Sequence, residues 1–396
     1  MRALAQSPRD PAFVQNPYPF YERARALGPL FRWEDYGFPC AAGHAAVTAL
    51  LKDRRLGREL PDDLKPARPP HLAGFYAIDD RAMLDREPPS HTRLRGLVLR
   101  AFTSRRIAAL GPGIAALAHT LIDRLECPEF DLLPAFAERL PVLVIARLLG
   151  VPEERADDLL AWSHAMVAIY QARRDRAVED RADAAARAFA AFLGAHVDAR
   201  RRRPADDLIS ELIAAEAAGD RLDADELVAT CVLLLNAGHE ATVHAIGNGV
   251  AAILAAGLDP AGLFASPAAT AATVEEVLRF DPPLHLFTRF ALEDVEVFGD
   301  RFRRGDTVGC LLAAANRDPV RFPDPGRFDP SRAAAPHLSF GAGIHFCVGA
   351  GERRAELAIA LPLLFRRFPR LALAAPPAFA DRYHFRGMEA LRLRLG

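Results

Sequence analysis

The chain has 396 residues, 51% of them apolar, enough for a sizeable core in one large domain or two to three ordinary ones. Its 50 basic and 51 acidic residues leave a net charge of −1, which gives no electrostatic case for nucleic acid or an anionic membrane as a partner. Five cysteines (Cys40, Cys127, Cys231, Cys310, Cys347) without a C-x-x-C pair argue against a disulfide framework or a zinc ribbon and for a reducing cytoplasm.

Residues 1–20 carry charges and prolines and no apolar signal core, and no run approaches the ~18 apolar residues of a membrane span. A short helix is predicted over 17–27, a small hairpin from 30–33 and 38–42, and a helix over 43–52. Residues 58–89, rich in proline and charge, read as a long mobile loop of the kind that is usually functional or disordered. From 91 to 256 the pattern is nearly all helix. Breaks fall at Thr103-Ser104, Pro128, Gly150-Val151-Pro152, Arg203-Pro204 and Gly219-Asp220. Asp223 with Glu226 three residues on reads as a capping box opening a buried helix of more than 30 residues. A helix over 266–280 ends before Pro282-Pro283. Residues 287–309 alternate like β-structure with a turn at Arg304-Gly305-Asp306. Residues 315–340 are irregular, and a last helix runs from near Cys347 to about Phe368. The expectation is one mostly helical domain over 1–396 with a minor β part, without an interdomain linker.

The stretch Phe340-Gly341-Ala342-Gly343-Ile344-His345-Phe346-Cys347-Val348-Gly349 fits F-x-x-G-x-H-x-C-x-G. Its chance occurrence in such a chain is on the order of 10⁻⁵ to 10⁻⁴. A thiolate in a glycine-bounded loop, followed by an apolar run, is what a cysteine-ligated haem requires. Glu276 and Arg279, three apart, share a helix face. His91 and Arg95, four apart, share another. Ala237-Gly238-His239-Glu240-Ala241-Thr242 falls mid-way along the long helix, where a glycine costs ~1 kcal/mol relative to alanine. His239-Glu240 and His244 come near the zinc motif H-E-x-x-H, but histidines five apart lie roughly 140° from each other on a helix and cannot grip one ion from one face.

With these motifs in order along essentially its whole length, the chain resembles the soluble bacterial cytochromes P450, haem-thiolate monooxygenases. The resemblance implies haem b with Cys347 as axial iron ligand and O₂ as co-substrate, Gly343 and Gly349 permitting the tight backbone, and Phe340 packed near the sulfur. It gives the haem propionates to His91, Arg95, Arg289 and His345. It makes Glu276 and Arg279 a buried brace completed by Arg327, with Glu275 as the alternative partner.

The family pattern A-G-x-[DE]-T-[TS] is met at Glu240 but not at Ala241, where threonine is usual; Thr242 points about 100° away. Proton delivery needs an ordered donor or water, so water organised by Glu240, Thr242 or the substrate, peroxide use, and poor coupling all remain open. A small hydrophobic substrate is expected in a pocket of Leu234, Gly238, Leu284, Leu286, Phe287 and Phe385, drawn from segments 58–85, 162–171, 234–242, 284–287 and 383–385. The chain has no nucleotide or flavin motif and no cysteine set for an iron–sulfur cluster, so electrons would come from a separate ferredoxin and its reductase. Arg353 and Arg354, with Arg100, Arg105 and Arg106, are the candidate docking patch. The expected protein is a cytoplasmic monomer. A peroxygenase on the same fold and a non-catalytic haem sensor or electron carrier are the alternatives.

Overall fold

The computed structural model describes residues 1–396 except 126, 172–173, 217–221 and 384, and leaves the side chains of 101, 215 and 216 undescribed. The expected break at Gly219-Asp220 lies outside the described residues. The remaining helices follow the expected pattern closely. We number those that build the site: α1 (Ala73–Asp79), α2 (Ser90–Ala101), α3 (Ser104–Ile122), α4 (Arg139–Leu149), α5 (Ala156–Val167), α6 (Arg176–Arg202), α7 (Ala224–Ala256), α8 (Pro267–Phe280) and α9 (Ala350–Arg367).

The centre is α7. Asp223 accepts from the Glu226 amide at 2.7 Å, and the Glu226 carboxylate takes the Asp223 amide at 3.0 Å, closing the capping box. Gly257 in the left-handed conformation ends the helix. Leu227, Val232, Leu235, Ile246, Val250 and Ile253 are each 2% exposed or less. Burying each such side chain stabilises by ~1.5–3 kcal/mol, which is why a helix of this length holds among α4, α5, α6, α8 and α9.

The main sheet is six-stranded, in the order Arg2–Leu4, Phe31–Trp33, Phe38–Ala41, Thr307–Leu311, Leu286–Ala291, Leu56–Gly57. The expected hairpin is present, with Phe31 opposite Cys40 and Trp33 opposite Phe38. The first strand, and a three-stranded sheet of Ala372–Leu373, Arg392–Arg394 and Glu129–Asp131, went unforeseen because two- and three-residue strands carry no readable alternation. The segment 58–89 is not a structureless loop. It folds into short 3₁₀ turns and α1, whose Phe75 amide is held by Asp183 of α6 at 2.9 Å. Among the described residues no helix is long and apolar enough to cross a membrane.

Candidate active site

Cys347 lies in a turn pinned by its own amide, which donates to the Phe340 carbonyl at 3.0 Å. Gly343 sits at φ +73°, and a Cβ there would stand 2.3 Å from the Leu51 carbonyl oxygen, so the turn needs glycine at that point. Gly349 does not carry the same burden. Its φ is −80° and an added Cβ would meet nothing nearer than 3.7 Å, so the tight backbone belongs to Gly343 alone of the pair. The last helix also begins at Ala350 with Gly349 as its cap, so Cys347 stands outside the first turn and gains less from the helix dipole than a start at Cys347 implies. Phe340, 3% exposed, lies under the Arg354 guanidinium at 4.6 Å and meets Phe346 edge-on at 6.2 Å.

Beside this turn the structure gathers arginines and histidines. The His91 and His345 rings are 4.3 Å apart, and Arg95 Nη2 donates to the carbonyl of Phe346, next to Cys347, at 2.6 Å. Arg289 is 2% exposed, donates only to the neighbouring Thr288 carbonyl at 2.9 Å, and forms no ion pair among the described residues. Burial pushes it down to about 10. Burial, His345 and Arg95 push His91 down to about 4. His345 bonds Glu87 at 2.9 Å, and Glu87 also takes the Arg58 amide. Arg58, over the Phe287 ring at 5.4 Å, joins the group and was not foreseen; only its place at the head of the segment 58–85 hinted at it. A buried arginine without a carboxylate, beside two histidines whose cationic forms are disfavoured, fits a bound dianion such as the two haem propionates.

Glu276 and Arg279 form the expected buried pair, with Nε and Nη2 each 2.7 Å from a carboxylate oxygen. Arg279 also donates to the carbonyls of Asn316, Pro325 and Arg327. Arg327 therefore gives its backbone and not its guanidinium, which lies in an exposed residue. The third side chain is Arg332, whose Nε stands 3.4 Å from Glu276 and which donates to the Pro323 and Arg327 carbonyls. Glu275 is turned outward to Arg354 and His337, so it is no alternative to Glu276.

The long helix α7 is buried along most of its length, but Ala237 is exposed and Leu233, Asn236 and Gly238 are half-exposed. This break in burial falls at the middle of the helix, beside the buried Glu240 and Ala241. Glu240 is 5% exposed and Ala241 is 4% exposed. Burial pushes the Glu240 carboxyl up, but His239 at 3.3 Å and His244 at 3.6 Å hold it ionised, well below the usual carboxylate range. Thr242 is turned away. Its hydroxyl donates to the Gly238 carbonyl at 3.0 Å and faces Arg353 of α9 at 3.3 Å.

A cytochrome P450 family model matches residues 268–374. The chain is similar to cytochrome P450 monooxygenase PikC of Streptomyces venezuelae, 38% identical over 96% of this chain and 92% of that protein. The structure is similar to P450BioI in complex with an acyl carrier protein ligated to hexadec-9Z-enoic acid, with a TM-score of 0.90 and 34% identity over 97% of this chain and 99% of that one. It is also similar to myxobacterial CYP267B1 in complex with myristic acid, with a TM-score of 0.89 and 39% identity over 98% of each chain. The chain belongs to the cytochrome P450 family. As a cytochrome P450 it is a haem-thiolate monooxygenase that uses O₂ and a small hydrophobic substrate.

Several expected pocket residues of this cytochrome P450 are core instead. Leu234 packs in the helical core, one position away from the half-exposed Leu233. A Cβ at Gly238 would lie 3.1 Å from Ile145 of α4, so this glycine also lets two helices approach. Leu286 packs with Phe13, Tyr18 and Trp33, and the Tyr383 hydroxyl bonds Tyr21 at 2.7 Å within the same aromatic cluster. Leu284, Phe287 and Phe385 stay partly exposed, and His384 lies outside the described residues. The segment 58–86 and the 3₁₀ turn Ala168–Tyr170 after α5 line an open cavity of about 330 Å³, with Arg58, Leu60, Phe75, Ile169, Tyr170 and Phe290 among its walls. The expected docking patch is not assembled. Arg353 is 8% exposed, Arg354 is bound to Glu275, and Arg106 is bound to Asp206 and Glu211.

Proposed function

We propose that Cys347 would hold haem b through its sulfur, and that His91, Arg95, Arg289 and His345, with Arg58, would receive its propionates. When bound, the haem supplies an iron centre for oxygen activation, made electron-rich by the anionic sulfur. Phe340 and Gly343 hold the cysteine turn and shield it. Glu276, Arg279 and Arg332 hold the segment 323–332 rigid behind it. The observation that carries this reading is the buried Arg289, without an ion pair among the described residues, near His345 of the Cys347 turn.

Glu240 is the proton-handling residue. Ala241 brings no hydroxyl, and the Thr242 hydroxyl is committed to Gly238, so Thr242 is not the proton donor. Ordering of water beside Ala237 and Ala241 then falls to Glu240 and to the substrate itself. The substrate is a small apolar molecule, since the 330 Å³ cavity presents Phe75, Ile169 and Phe290 while its Arg58, Arg68 and Arg174 are already paired with Asp85, Asp80 and Glu179. Fatty-acyl compounds, present in the two similar complexes, are the first to screen.

Electrons come from a separate ferredoxin. It docks beside Arg95, where Leu99 and Phe346 are 44% and 40% exposed. The chain acts as one cytoplasmic haem domain and as a monomer. The test is turnover of fatty acids with ferredoxin and its reductase against turnover with peroxide alone. Product only with peroxide overturns the monooxygenase route in favour of a peroxygenase. Cys347→Ser must abolish product in either case. Ala241→Thr must change the product formed per NADH consumed; an unchanged ratio refutes substrate-assisted ordering at that position.

A further inference from the structure

The sequence spacing rules out a cation held by His239 and His244 from one face of α7, but the fold brings a different histidine to the same acid. His164 of α5 places its Nε2 3.5 Å from Glu240 Oε2, and His239 Nε2 stands 3.3 Å from the same oxygen. The three ligand atoms all lie within 4.8 Å of one another.

The chemistry of this contact is unusual. His239 Nδ1 faces the Leu235 carbonyl at 3.1 Å and must donate to it, so Nε2 either carries the ring's second proton or, in the neutral ring, presents a lone pair. Nε2 points at a carboxylate oxygen, so in the neutral ring two acceptors face each other. Both atoms are buried, in residues 1% and 5% exposed, and neither has a hydrogen-bond partner. Such a pair calls for a positive charge between the two atoms, supplied by a proton on the ring or by a metal ion that displaces it.

We propose that His164, His239 and Glu240 form a binding site for a divalent cation of the zinc type, and that the cation inhibits the enzyme by taking the Glu240 carboxylate out of proton transfer. The spacing fits. Zinc bonds of ~2.0–2.1 Å in tetrahedral geometry set neighbouring ligand atoms roughly 3.4 Å apart. The separations from Glu240 are 3.3 and 3.5 Å. The Leu235 carbonyl orients His239 as metal-bound histidines are commonly oriented, through the other ring nitrogen. His244 Nε2, 3.6 Å from Glu240 Oε1, faces the second oxygen and leaves Oε2 to the ion. The His164 side chain is 45% exposed, which gives the ion an entry path and leaves a fourth position for water. Of the charged groups near His164 beyond the site, Glu138 favours a cation and Arg382 opposes it.

Only the inhibitory effect rests on the role proposed for Glu240; binding does not, so the two are measured separately. Equilibrium dialysis of the haem-loaded enzyme against Zn²⁺ should give a single site, weakened more than about tenfold in His164→Ala and in His239→Ala. Zinc-edge X-ray absorption should show only nitrogen and oxygen neighbours at ~2.0–2.1 Å. His164 is exposed, so its variant tests the site even if the buried His239→Ala fails to fold. Equal zinc affinity in native and His164→Ala protein, a sulfur neighbour, or no binding overturns the site. If zinc binds as expected but native and His164→Ala enzymes are slowed equally relative to their zinc-free rates, inhibition through Glu240 is overturned.

Discussion

Replacing Glu276 with alanine is the sharpest test of the brace. The carboxylate accepts two bonds from Arg279 at 2.7 Å and one from the Asp329 amide at 2.7 Å, and Arg332 stands 3.4 Å away. Arg279 is 2% exposed, so the change strands a buried guanidinium. Breaking such a pair costs ~3–5 kcal/mol, and the orphaned amide adds ~1 kcal/mol. A loss of that size is a large fraction of the roughly 5–15 kcal/mol that holds a typical native domain. Glu276→Gln keeps the shape and should lose ~2–3 kcal/mol. Arg332→Ala removes one long ion contact and bonds to carbonyls at the surface, a loss of ~1–2 kcal/mol. Arg327→Ala spares the carbonyl that Arg279 uses and should stay within about 0.5 kcal/mol. The assay is urea unfolding of the haem-loaded protein, followed by circular dichroism and haem absorbance. If Arg327→Ala costs as much as Arg332→Ala, or Glu276→Ala costs under about 1 kcal/mol, the reasoning is wrong.

Gly343→Ala should abolish stable haem incorporation, because the Cβ would strike the Leu51 carbonyl, whereas Gly349→Ala should retain it; haem content of the purified proteins decides. Arg289→Gln relieves a buried cation in the haem-free protein but removes a propionate partner, so it should raise apoprotein stability while increasing the rate of haem loss to an acceptor protein. Asp79 is pushed up to about 6 by burial and by Asp85, against a donated bond from the Tyr170 hydroxyl. The folded state therefore holds this proton more tightly than the unfolded chain. Its contribution is most favourable below about pH 4, declines as pH rises to about 6, and stays lost above that. Asp79→Asn should flatten the decline and stabilise the protein at pH 8 by ~1–2 kcal/mol, measured by denaturant unfolding across pH; an unchanged slope refutes the assignment.

The helices were legible because their signals are local. The capping box at Asp223 and Glu226, the proline stops and the apolar periodicity of α7 each act within a few residues. The cysteine turn was legible for the same reason, since Gly343 and Phe340 act on a turn that closes within ten residues. The sequence therefore determined the helical framework, the cysteine turn, the Glu276–Arg279 pair and the family. Only the tertiary structure decided which distant groups meet them. It chose Arg332 over Arg327 because the segment between them curls back over Glu276. It buried Arg353 and bound Arg354 to Glu275 because α9 packs against α7 and α8. It turned Thr242 toward Gly238 and Arg353, and brought His164 to Glu240 from a helix some 75 residues upstream. A side chain's partner across such a distance depends on helix rotation and approach, which no spacing within one helix encodes.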